Sequence, residues 1–179
     1  NEISPRQGPV RLREFTIADI EFFFDPEEPQ CTELKRVEEE TLRLIPAELK
    51  KKGIKEPVVT TAKEALQKGY IKTEWQVYFM IMAKHFLNEL GVPADRQRFM
   101  EKLEWERAHY SLQTFDQEVI VERWGWVEVT ACAYRADYDL KRHSEFSGQD
   151  MYVFKEYERP VEKEQSIIKP VMAKMGPAF

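Results

Sequence analysis

Asn1–Phe15 gathers a carboxylate at Glu2, guanidinium groups at Arg11 and Arg13, and an aromatic ring at Phe15. Each type has a use against a charged, flat ligand. Guanidinium groups fork onto anionic oxygens, a carboxylate accepts from an amino group, and a ring lies on another ring. The spacing matters as much as the types. Ser4-Pro5-Arg6-Gln7-Gly8-Pro9 holds two prolines and a glycine, which mark a loop between two extended ends. A strand–loop–strand turns alternate side chains to one face, so these four can converge. On the residues alone, a surface hairpin with solvated arginines is the competing reading.

Two further positions invite chemistry. Glu128 lies between apolar residues in Trp126-Val127-Glu128-Val129, and a shielded acid is costly unless it is paired or holds a metal. Arg135 can be its structural partner, or a fork for a carboxylate or phosphate. The three histidines, His85, His109 and His143, are scattered, and Cys31 and Cys132 form no CxxC pair. Zinc-ligand spacing is therefore absent, and the thiols read as buried and reduced. His109 beside Tyr110 reads as a packed or capping residue and His85 as structural.

The elements that position these groups come from periodicity. Val10–Phe15 and Ile20–Phe24 read as strand, closed by Asp25-Pro26-Glu27-Glu28-Pro29. Residues 31–116 read as largely helical. Leu34, Val37, Thr41 and Leu44 make one stripe, and Trp75, Phe79, Met82, Phe86 and Leu90 a longer one expected to face the core. Thr61-Ala62-Lys63-Glu64 is a capping box, with helix ends at Gly69 and Gly91. Another helix is expected from Pro93 or Asp95 to about Tyr110. Residues 117–135 return to strand, with Val119, Val121, Val127, Val129, Ala131 and Ala133 on one face and a turn or bulge at Trp124-Gly125-Trp126. The fold class is α+β: an antiparallel sheet with a helical insertion. Residues 146–179 show little periodicity and read as an extension.

Lys and Arg number 27 against 32 Asp and Glu, a formal net charge of -5. That argues against a general nucleic-acid coat but permits a local basic face. No apolar run reaches the ~20 residues of a bilayer span. The N-terminus lacks a signal-peptide pattern and an initiator Met, so the chain reads as beginning inside a larger protein or after processing, in a cytoplasmic setting.

Three segments carry a family resemblance. Asn1-Glu2-Ile3-Ser4-Pro5-Arg6-Gln7-Gly8-Pro9-Val10-Arg11-Leu12-Arg13-Glu14-Phe15 resembles the second signature motif of class II aminoacyl-tRNA synthetases in its glycyl form. Ala108-His109-Tyr110 with Asp116 resembles a second segment. Gly125-Trp126-Val127-Glu128-Val129, followed by Ala133-Tyr134-Arg135-Ala136-Asp137-Tyr138-Asp139-Leu140, resembles the glycyl-specific strand and turn. On these residues the chain is similar to class II glycyl-tRNA synthetases of the archaeal and eukaryotic type.

The resemblance implies a glycine–tRNA ligase that forms glycyl-adenylate from glycine and ATP and passes glycine to tRNA. It implies Arg11, Glu128 and Arg135 as catalytic residues. ATP would meet Glu2, Val10, Arg11, Leu12, Arg13, Glu14, Phe15, Glu128 and Val129, with Glu2 and Phe15 on adenine and Arg11 on phosphate. Glycine would meet Phe15, Thr16, Ile17, Ala18, Asp19 and Arg135, and magnesium would reach Glu128 through ATP. The Pro5–Pro9 loop would lie near the tRNA acceptor end. Departures from the family pattern are Asp19 for the usual Glu, Ala131 for Gly and Tyr134 for Asp; a methyl at 131 narrows the pocket floor.

The implied division is 1–30 for the motif hairpin and following strand, 31–116 for the helical insertion, 117–145 for core strands and 146–179 for an extension. The family's Phe-Arg before this Asn-Glu, its first and third motifs and its anticodon-binding domain are not in the chain. The chain is therefore expected to be an internal piece, inactive alone, of a homodimeric cytoplasmic parent without a membrane. The competing functions are a non-catalytic, class II-like module that binds nucleic acid, and a synthetase for another small amino acid.

Overall fold

A computed structural model of the chain describes residues 16–154 together with Glu14, Glu156, Glu162 and Glu164. Five strands form one sheet: β1 (Thr41–Ile45), β2 (Val58–Thr61), β3 (Gln97–Glu101), β4 (Gln113–Val121) and β5 (Gly125–Tyr134). Their spatial order is β2-β1-β3-β4-β5. All neighbours are antiparallel except β1 and β3, which run parallel through Leu44↔Phe99 and Ile45↔Met100. Among the described residues four helices accompany them: α1 (Ala47–Lys51), α2 (Ala62–Gln67), α3 (Glu74–Glu89) and α4 (Tyr138–Ser147). The class is α+β, and the sheet is mixed rather than wholly antiparallel.

One face of the sheet is covered by helix. Leu42, Leu44, Phe99 and Phe115 from the strands meet Ala62, Ala65, Val77, Met80 and Ile81 from α2 and α3 in one buried cluster. Thr61 caps α2 by accepting from Glu64 N at 3.1 Å, as the capping box predicts. The reciprocal arm differs, because the Glu64 carboxylate takes the Thr60 hydroxyl instead. α2 and α3 end at Gly69 and Gly91 as expected, with the 6→1 bonds Tyr70 N→Ala65 O and Val92 N→Leu87 O closing each terminus.

Several expectations fail for identifiable reasons. The stretch expected to be largely helical also contains β1, β2, β3 and the start of β4. At Leu34–Leu44 there is a single 3-10 turn, Leu34–Arg36, followed by β1. The alternation of Leu42 and Leu44, both buried, outweighs the wider helical spacing. Beyond Pro93 a 3-10 turn, Ala94–Arg96, leads into β3 instead of a helix. β3 buries alternate residues, but two of them, Gln97 and Glu101, are polar, so hydrophobicity hides the period.

These buried polar groups are partnered: Gln97 Nε2 donates to Val92 O at 2.8 Å and accepts at Oε1 from Gln117 Nε2 at 2.9 Å. Glu101 Oε1 accepts from Gln113 Nε2 at 2.8 Å.

The stripe Trp75, Phe79, Met82, Phe86 and Leu90 is not the face α3 gives to the sheet. That face is Val77, Met80, Ile81, Lys84 and Leu87. Phe22 covers the start of the other stripe, with its ring centroid 4.3 Å from Trp75 and 5.3 Å from Phe79. Phe86 and Leu90, at its far end, are exposed. Ile20–Phe24, expected as strand, forms no ladder among the described residues. α4 follows β5 directly, inside the stretch expected to hold only strands.

Candidate active-site face

The uncovered face of β3, β4 and β5 is where the polar side chains collect. The β4–β5 register is interrupted between Gln117 and Glu118: Glu118 faces Glu128, Gln117 faces Thr130, and Val129 is left over. Such an extra residue shifts the pleat, so parity along β5 changes at the bulge. Val127, opposite Val119, is buried on the helix side. Beyond the bulge Ala131 opposes Asp116 and Ala133 opposes Thr114. The expected face of odd positions is therefore split. Glu128, Ala131 and Ala133 share the open face with Asp116 and Glu118, while Val127 belongs to the core.

Charge on this face is concentrated. Arg98 of β3 reaches Glu118 with Nε to Oε2 at 2.6 Å, and its guanidinium lies 4.1 Å from the centre of the Trp126 ring. Lys102 Nζ stands 3.1 Å from Asp116 Oδ1. Burial pushes the Asp116 carboxyl above its ordinary range, and the charges of Glu128 and Glu118 push the same way against the pull of Lys102. Three carboxylates thus gather on this face, two of them paired with a cation, Glu118 with Arg98 and Asp116 with Lys102. The two small side chains Ala131 and Ala133, both exposed, leave the sheet surface low beside it.

Arg135 follows the last residue of β5. Its Nη1 is 3.2 Å from Glu21 Oε1 and 3.4 Å from Asp139 Oδ2, and its guanidinium lies 4.8 Å from the centre of the Tyr110 ring. The fork is thus oriented by an acid on each side and a ring beneath it. His109 lies edge-on to Tyr110 and Tyr138, both at 5.4 Å, yet it is exposed rather than packed away. Tyr134 stacks with Phe24 at 6.2 Å.

Glu2, Val10, Arg11, Leu12, Arg13 and Phe15 lie outside the described residues, as does the hairpin they belong to. Glu14, Thr16, Ile17, Ala18 and Asp19 are exposed, as is Val129 beside Glu128. The acid of this segment that meets Arg135 is Glu21, two positions beyond Asp19. Sequence reasoning also passed over Asp116, Glu118, Arg98 and Lys102 as site residues. Asp116 and Glu118 are two apart in a strand, a spacing that puts both on one face.

Among the described residues, no group of three or more His, Cys, Asp or Glu side chains is arranged to hold a metal ion. The face offers no protein-only cage. It does suit magnesium, which takes one or two carboxylates and completes its shell with phosphates and water. Glu128, with Asp116 beside it, is the matching carboxylate.

No family model matches the chain. Curated relatives do. It is 46% identical over 179 residues to the "Glycine--tRNA ligase" of Pyrococcus furiosus, covering 99% of this chain and 31% of that protein. It is 44% identical over 181 residues to that of Methanothermobacter thermautotrophicus, covering 100% and 32%. For Aeropyrum pernix the figures are 47% over 163 residues, covering 90% and 28%. The chain thus spans about a third of the length of these relatives. Along nearly its whole length the chain is therefore similar to about a third of these archaeal glycine–tRNA ligases, as its resemblance to the class II glycyl-tRNA synthetases implies.

Proposed function

We propose that the complete protein carrying this chain is a glycine–tRNA ligase, and that the open face of β4 and β5 belongs to its active site. The observation that carries the reading is the shared face of Glu128, Asp116, Ala131 and Ala133, reached at its end by an oriented Arg135, in a chain whose relatives are named for this activity. In the first half-reaction a glycine carboxylate oxygen attacks the α-phosphorus of ATP. The bond to the β-phosphate oxygen breaks, and pyrophosphate leaves with its electron pair. In the second, a hydroxyl of the terminal tRNA ribose attacks the glycyl carbonyl, and AMP leaves.

No side-chain nucleophile is needed, so the protein's contribution is position and charge. Arg135 orients the amino-acid end through its fork. Magnesium, held by Glu128 and the phosphates, would offset charge that builds on the departing pyrophosphate. Glycine has no side chain to grip, so selection rests on pocket volume. Ala131 and Ala133 make a floor that rejects larger amino acids by contact. Arg11, Arg13, Glu2 and Phe15 complete the ATP site, while Thr16–Asp19 lies against glycine. In this reading the complete enzyme is a cytoplasmic homodimer. Among the described residues no helix is long and apolar enough to cross a membrane.

The test is ATP–pyrophosphate exchange by the complete protein with glycine, alanine or serine as sole amino acid. Exchange with glycine alone is expected. Exchange with alanine or serine at the glycine rate contradicts pocket-volume selection, and no exchange with any of them contradicts the ligase reading.

A further inference from the structure

The sequence Lys50-Lys51-Lys52-Gly53-Ile54-Lys55 puts four lysines within six residues of a chain whose formal net charge is -5. This run closes α1 and turns the chain toward β2. Its position is fixed. Ala47 N donates to the buried carboxylate of Glu101 at 2.6 Å, which ties the start of α1 to the end of β3. Gly53 N→Lys50 O and Ile54 N→Leu49 O close the far end, with Gly53 at φ +77 where only glycine sits without strain.

Lys50 is neutralised by Glu106 at 2.5 Å. Lys51, Lys52 and Lys55 are exposed and have no carboxylate partner among the described residues. Beside the turn lies an open cavity of ≈ 510 Å³, whose lining includes Ile45, Ile54, Lys55, Arg98, Met100 and Trp126. Its floor is apolar and aromatic, and its rim carries the cations Lys50, Lys55 and Arg98 against one acid, Glu56. Arg98 stands over the Trp126 ring and donates from Nη1 to Lys55 O at 3.4 Å, so the turn and the sheet are joined. On the other side of the turn Lys51 Nζ stands 5.9 Å from the ring centre of Trp105, an exposed tryptophan.

We propose that the Lys50–Lys55 turn, with the cavity over Trp126 and the exposed Trp105, binds RNA: the free lysines take backbone phosphates and the aromatic surfaces take unstacked bases. Cations interleaved with aromatic faces are what single-stranded RNA requires, since every base has a face to stack and every linkage a charge to meet. The surface is continuous with the candidate active-site face, because Trp126 and Glu128 are two apart on β5 and the Arg98–Glu118 pair bridges them. The inference rests on the ligase reading above, which makes the bound RNA the tRNA substrate entering along this end of the sheet.

The complete protein should be compared with a K51Q/K52Q/K55Q triple variant and with Trp105→Ala. Binding of a glycine tRNA transcript is measured across a salt series, beside glycine-dependent ATP–pyrophosphate exchange, which needs no RNA. The triple variant should bind about tenfold or more weakly, with the salt slope reduced by about two to three, one for each phosphate contact removed. Trp105→Ala should weaken binding with little change in slope. Exchange should keep its rate in both variants. Unchanged affinity and slope overturn the proposal and leave the lysines to another anionic partner. A parallel loss of exchange also overturns it, because the lysines then support the fold. Absence of exchange in the unmodified protein sinks the ligase reading instead, and the RNA-binding comparison still decides the surface.

Discussion

At the residue scale the most informative group is Asp116, which is buried on the polar face of the sheet against the charges of two neighbouring glutamates. Burial and then Glu128 raise its carboxyl, while Lys102 lowers it. A carboxyl raised in the folded state weakens stability once the pH exceeds that raised value. The cost disappears below the ordinary carboxylate range, where folded and unfolded forms are both protonated. Asp116→Asn should therefore raise the melting temperature at neutral pH, and the gain should vanish in acid. Equal melting of the two proteins at pH 7 would show that the crowding of acids costs nothing.

Arg135 teaches a complementary lesson. Its identity was legible from its motif, but its orienting partners were not. Glu21 comes from more than a hundred residues upstream in the chain, and only the fold brings it within 3.2 Å. The thiols are plainer: Cys31 and Cys132 are free, and burial raises the Cys132 thiol to about 12, which keeps it protonated and inert.

At the scale of elements, legibility followed how far a local signal could be trusted without its partner. Helix ends written in short-range chemistry were readable: Thr61 at the start of α2, and Gly69 and Gly91 at the ends of α2 and α3. Thr73 caps α3 by accepting from Gln76 N at 3.1 Å, with glutamine in the third position, a pattern of the same kind that the reading passed over. Thr73→Ala should lower stability by about 1 kcal/mol, measured by urea unfolding. A change within a few tenths would mean that packing of α3 on the sheet leaves its terminus without effect.

What was not readable depended on contacts across the sheet. β3 buries Gln97 and Glu101, whose partners come from β4, α3 and α1, so its period is invisible in hydrophobicity alone. Both faces of α3 are apolar, and only the presence of the sheet decides which is core. The bulge at Val129 is likewise a property of the β4–β5 pair; neither strand announces it alone. It decides that Glu128 shares its face with Ala131 and Ala133, and so assembles the candidate site.

At the scale of the whole molecule the sheet has one face packed under helices and the other carrying charged side chains. Helices α2 and α3 fill one side with a continuous apolar core. The opposite side keeps its charges in compensated pairs, Arg98 with Glu118 and Lys102 with Asp116, around a low, small-residue strip. The net negative charge of the chain hid the lysine-rich end of this face, because a global sum erases local segregation. The motif hairpin with Arg11 and Phe15 falls outside the described residues, so the approach of its side chains to this face belongs to the proposal.

The measurement closest to the central claim is glycine-dependent ATP–pyrophosphate exchange by the complete protein carrying Glu128→Gln or, separately, Arg135→Gln, with melting curves recorded alongside. Removing a preorganised charge from the reacting centre costs about a hundredfold in turnover or more. Both variants should lose at least that much while melting within a few degrees of the unmodified protein. Exchange at the original rate in either one would contradict the assignment of this sheet face to the chemistry.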